Sequence, residues 1–105
     1  MKISGLLFSS SEWADVADIS TMREAIALFE TVGMPSRNLS TRTRAEYSRD
    51  LAELSAFLES RGASRLAVVS LAHLQAFQAW MDSAGFVSST RRRKTHTAKS
   101  FFRFL

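Results

Sequence analysis

Cysteine is absent from the 105 residues, which excludes a disulfide framework and a thiolate metal site and leaves no need for an oxidising compartment. Proline occurs once and glycine four times, so residues that interrupt regular structure are scarce and their positions carry information. The opening "MKISGLLFSSSEW" has one lysine and three successive large apolar residues, too short a run for a signal peptide or a membrane span. A soluble, cytoplasmic protein is expected. Acidic residues nearly vanish beyond residue 60, where Asp82 stands alone.

What is present is an apolar content of 46%, and a single domain of this length can bury roughly two thirds of its unfolded surface. The net charge of +4 is unevenly spread: residues 1–34 sum to −3, residues 35–60 to 0 and residues 61–105 to +7. A field gathered at one end of a small domain favours polyanions, nucleic acid or anionic lipid alike.

Gly33, Pro35, Gly62 and Gly85 each follow an apolar-periodic segment and are expected to end helices there. Four helices result. The first starts at Thr21, with Glu24 as its capping-box partner, places Met22, Ile26, Phe29 and Val32 on one face, and is expected to stop before "GMP". The second runs from about Ser40 to Ser60, with Tyr47, Leu51, Leu54 and Leu58 as a buried stripe and Arg42, Glu46, Arg49 and Glu53 on its polar side. In the third, Ser70 is the N-cap, Val69 and Leu74 form a hydrophobic staple, and Leu74, Phe77 and Met81 line one side with Trp80 beside them. Arg65–Ser70 reads as an apolar linker, and no alternating pattern is long enough for a sheet. Residues 1–20 have weak periodicity and are expected to form a mobile lead, with the domain spanning 21–105.

In the fourth helix the separation of charge from apolar surface is clear. At 100° per residue from Thr90, Phe101, Leu105, Ala98 and Phe102 fall within roughly 20° to 120°, and Arg92, Lys99, Arg103 and His96 within roughly 180° to 240°. A solvated tail would show no such segregation. Ser88, Ser89 and Thr90 are candidate caps, and a basic run at a helix start opposes the macrodipole unless an anion offsets it; the amides there can receive a phosphate.

Enzymatic readings find little support. His73 and His96 lie on different helices without a carboxylate or thiol spaced for a metal site; His73 is expected at the core edge and His96 at the surface. Tyr47, the only tyrosine, is in register with leucines and reads as core. Glu46 and Asp50 read as two solvated acids. No phosphate-cradling glycine loop is present, and neither cofactor nor metal is expected.

The motifs are similar to those of a known family. "NLSTRTRAEYSRDLAELSAFL", with Leu39, Ser40, Thr43, Tyr47, Asp50 and Leu51, resembles the opening helix signature of the N-terminal core-binding domain of tyrosine recombinases, the phage-integrase group. "LAVVSLAHLQAFQAWM" resembles that domain's third helix and lead-in, and "TRRRKTHTAKSFFRFL" its last helix. Together these span Met22 to Leu105. The resemblance implies an all-α, four-helix, SAM-like orthogonal bundle forming half of a C-shaped clamp on duplex DNA, with the second and fourth helices facing the major groove. By position it implies DNA contacts from Ser40, Arg42, Thr43 and Arg44, and from Thr90, Arg92, Arg93, Lys94 and Lys99; the charge map alone selects Arg92, His96, Lys99 and Arg103. The chain departs from the family pattern at Arg91, where an aliphatic residue is usual and from which an arginine could reach a phosphate, and at Thr95 and Ala98, which replace bulkier apolar residues.

The family's bond-breaking chemistry belongs to a separate C-terminal domain with a tyrosine nucleophile, which has no counterpart here. "FFRFL" ends the chain without a helix stop signal, so an excised, non-catalytic portion of a larger recombinase is expected. The sequence thus points to a double-stranded DNA-binding module, monomeric in isolation, whose parent assembles as a tetramer on DNA. A free-standing helical adaptor for a protein or RNA partner is the rival reading; the reading frame beyond Leu105 would separate the two. Engagement of about five phosphates would give a log–log salt slope of about −4 to −5.

Overall fold

The computed structural model describes residues 19–105, and the expectation of a mobile lead falls, for residues 1–18, outside the described residues. The described residues are all-helical: α1 (Met22–Leu28), α2 (Thr41–Ser60), α3 (Leu71–Ser83) and α4 (Ser88–Phe104). A single 3-10 turn, Leu66–Val68, lies in the linker before α3, and an isolated bridge pairs Thr21 with Arg65.

α1 begins as its sequence dictates. The Thr21 hydroxyl accepts from the Glu24 amide at 3.1 Å, and the Glu24 carboxylate accepts from the Thr21 amide at 3.0 Å, satisfying two donors that the first helical turn leaves free. The Thr21 hydroxyl, followed by the Ser20 and Thr21 amides and the Ser20 hydroxyl, holds the Glu24 carboxyl below its ordinary range. Glu24 therefore supports folding above the ordinary carboxylate pKa, and that support is lost as pH falls through the lowered one. Thr21→Ala should cost about 1 kcal/mol in thermal or denaturant unfolding at neutral pH.

The end of this rod is not where the sequence places it. The helix continues past Leu28 through a π-helical turn, Phe29–Gly33, and a last α turn, Met34–Ser36. Pro35 has no N–H to donate and its ring crowds the carbonyl four residues back; the wider π turn falls on the residues just before it. Gly33 is helical for a packing reason, since a Cβ there would press on the rings of Phe29 and Phe104. Chain reversal is left to Asn38, at φ 53°. Gly62 and Gly85, at φ 74° and 87°, do end α2 and α3.

The core is built from one stripe per helix: Met22, Ala25, Ile26 and Phe29; Leu51, Leu54, Phe57 and Leu58; Phe77 and Met81; Phe101 and, after α4, Leu105. Two aromatic groups divide it. Phe29, Phe101 and Phe104 meet at one end, with ring centroids 5.6 and 5.3 Å from Phe29. Phe57, Phe77, Trp80 and Phe86 meet at the other, linked by centroid distances of 5.3 to 5.9 Å. Tyr47 is half-buried, stacked 6.5 Å from Phe29. At the start of α3 the Ser70 hydroxyl accepts from the His73 amide at 3.4 Å, and Nδ1 of His73 accepts from the Ser70 amide at 3.1 Å. His73 thus fills the capping-box place that a glutamate usually takes. Outside the core, Arg23 and Glu59 pair at 2.6 Å between α1 and α2, lowering the Glu59 carboxyl through the hydrogen bond from Arg23 and raising Arg23. No helix among the described residues is long and apolar enough to cross a membrane.

Candidate nucleic-acid interface

α2 and α4 lie side by side and run in opposite directions, as their contacts show: Tyr47 faces His96, Asp50 meets Arg93, Lys94 and Thr97, and Glu53 meets Lys94. Arg37, before α2, extends this order by donating to the Ser100 hydroxyl. The start of α2, with Ser40 to Arg44, is therefore level with the last half of α4.

The seam between these helices is polar. Asp50 is 3% exposed. Its Oδ1 accepts from Lys94 Nζ at 3.0 Å and Arg93 Nη2 at 3.1 Å, and its Oδ2 accepts from the Thr97 hydroxyl at 3.0 Å. Lys94 is 8% exposed, has a second carboxylate oxygen, Glu53 Oε1, at 2.9 Å, and sits 5.6 Å from the centroid of the Phe86 ring. A buried charge is tolerated only when paired and hydrogen-bonded, and here one carboxylate receives three donors. Two expectations are corrected. Asp50 is not a solvated acid, and Lys94 does not stand on the open face, because its ammonium turns inward to Asp50 and Glu53.

The remaining basic residues of α4 and of the start of α2 sort by whether they have a partner. Arg91 is half-buried and reaches Asp82 at 3.1 Å, joining the start of α4 to the end of α3. Arg93 keeps 45% of its side chain exposed while bound to Asp50. Arg44 donates from Nε to the Leu39 carbonyl at 3.0 Å. Arg42 projects from the first turn of α2 with its side chain 91% exposed and only a 3.4 Å approach to Glu46. Arg92, His96, Lys99 and Arg103 are all exposed, on one face of α4, and none has an ion-pair partner among the described residues. Their spacing of i, i+4, i+7 and i+11 aligns them down the helix. Arg92, His96 and Lys99 also border a shallow depression of about 440 Å³ between α3 and α4, to which Gln78 and Ser88 add polar groups.

The neutral candidates are occupied locally. Ser40 caps α2, its hydroxyl accepting from the Thr43 amide at 3.2 Å and lying 2.9 Å from the Thr43 hydroxyl. Thr90 is half-buried in the first turn of α4. The N-cap of α4 is Val87, with no side-chain cap, so Ser88, Ser89 and Thr90 lie inside the helix rather than before it. The first turn thus carries free amides and no acid, and its charge balance comes from Asp82 and Asp50 on neighbouring helices.

Sequence reasoning missed Asp50 and Asp82 because each acts on a residue of another helix; Lys94 is 44 positions from Asp50. The one available signal was that Asp50 belongs to the recombinase-like signature on α2.

Comparison with curated proteins and with solved structures gave no match. Comparison with protein families matched residues 26–105, all of the core helices but the first turn of α1, to the family described as phage integrase, N-terminal SAM-like domain. A four-helix bundle with no strand among its described residues, bearing that match over most of its length, belongs to the phage integrase N-terminal SAM-like domain family.

Proposed function

We propose that this chain is a duplex-DNA-binding module that holds a tyrosine recombinase on its recombination site, one half of a clamp whose bond-breaking chemistry is carried by a separate catalytic domain. The observation that carries this reading is the stripe Arg92, His96, Lys99 and Arg103 on the open face of α4, level at its far end with Arg42 on α2. Phosphate contacts from the arginines and the lysine of this set supply most of the affinity, and side chains at the start of α2 and along α4 read base edges. In the cytoplasm the isolated domain acts as a monomer, and the parent assembles as a tetramer on DNA.

On this surface four arginines and lysines, Arg42, Arg92, Lys99 and Arg103, remain for DNA rather than the larger set the basic run suggests, because Arg91, Arg93 and Lys94 already hold carboxylates. Fluorescence anisotropy with a labelled duplex, repeated across salt concentrations, should give a log–log slope of about −3 to −4. A slope near zero, or preference for a structured RNA of equal length, would remove the reading.

A further inference from the structure

We infer that Asp50 is a positioning residue that limits how many phosphates α4 can grip, by holding Arg93 away from DNA. The inference rests on the DNA-binding reading above and goes beyond it, since it assigns a role to an acid behind the interface.

Four consecutive cations, Arg91 to Lys94, would each be available to a polyanion in an unpartnered helix. In the folded domain three are taken, Arg91 by Asp82 and both Arg93 and Lys94 by Asp50, and only Arg92 is free among the described residues. The two partners of Asp50 are not equivalent. Lys94 is buried and has Glu53 at 2.9 Å as a second carboxylate, so it stays inside whatever Asp50 becomes. Arg93 is 45% exposed and its only carboxylate among the described residues is Asp50. It also stands three positions before His96, on the flank of the open stripe. Neutralising Asp50 therefore releases one cation, Arg93, onto the surface that meets DNA.

The benefit of such restraint follows from how polyelectrolyte contacts work. Each phosphate engaged raises affinity for every duplex alike, whatever its sequence. A domain that discriminates sites gains by keeping this uniform share small, so that base contacts weigh more in where it resides.

The test compares the full chain with Asp50→Asn, which keeps the shape of the side chain and removes its charge. With a random-sequence duplex at 0.1 M salt, D50N should bind roughly 5- to 10-fold more tightly than the unaltered chain, with a salt slope steeper by about 0.9. Adding Arg93→Gln to D50N should return both quantities to their starting values, a reversal that a change in packing alone would not produce. A folded D50N with unchanged or weaker binding and an unchanged slope overturns the inference while leaving the DNA-binding reading intact. Absence of salt-dependent duplex binding by the unaltered chain overturns both. Should D50N fail to fold, single variants decide: R93Q in the unaltered chain should bind within about twofold of it, while R92Q should lose roughly 8-fold. Equal losses from R93Q and R92Q would overturn the withholding role.

Discussion

Phe101→Ala should lower the unfolding free energy by about 3 to 5 kcal/mol, read as a shift of the denaturant midpoint at unchanged slope. Phe101 is fully buried. Its ring packs edge-on to Phe29, with centroids 5.6 Å apart, and lies 5.0 Å from Phe102, so truncation removes aromatic contact and leaves a cavity between α1 and α4. The backbone cannot close that space cheaply, because at Gly33 the continuation of α1 already lies close against the Phe104 ring of α4. A domain of this size has about 5 to 15 kcal/mol of total stability, so the variant should sit close to unfolding at physiological temperature. Phe102→Ala, which truncates a ring only partly buried, should cost clearly less. Equal losses would mean that burial on the inner side of α4 is not what anchors it.

The difference between those two phenylalanines was legible in part, and the reason shows where periodicity stops being informative. Leu51, Leu54 and Leu58 repeat at helical spacing and are all buried; Phe101 and Leu105 follow the same rule. An apolar stripe can be read because one residue type signals one environment. Toward its N-terminus, however, the inner side of α4 continues through Ser100, Thr97 and Lys94, residues whose composition signals solvent. Lys94 and Thr97 are inside because Asp50 receives them, and Ser100 meets Arg37; no window along one helix contains the information that a partner waits elsewhere in the chain. The same limit hid Asp82 from Arg91. Local signals did well where physics is local: Thr21 with Glu24 and Ser70 at α3 both cap as their spacing implies, and α2 starts beside Ser40. Gly33 misled because glycine has two uses, freedom of φ and lack of a side chain, and here the second applies. On α4, the charge map picked out four residues that the fold leaves exposed on one face, and the resemblance added Arg93 and Lys94, whose side chains the fold turns toward Asp50.

The second large effect concerns binding rather than folding. Arg92→Ala combined with Lys99→Ala should weaken duplex binding roughly 60-fold at 0.1 M salt and make the salt slope shallower by about 1.8, the loss of two phosphate contacts. Thermal stability should move by less than about 0.5 kcal/mol, since both side chains are exposed and neither has an ion-pair partner among the described residues. Removing Arg92 also takes one positive charge from the first half of a helix that begins without a side-chain cap, which slightly favours the fold. Any stability change should therefore tend upward while affinity falls. This opposition separates an interface from a structural charge: Lys94→Ala removes a cation from the same run, yet leaves Asp50 and Glu53 without their shared buried partner, and should destabilise the fold far more than the double variant does. If the double variant instead unfolds as readily as Lys94→Ala, or binds DNA as the unaltered chain does, the open face of α4 is not the surface that meets the duplex.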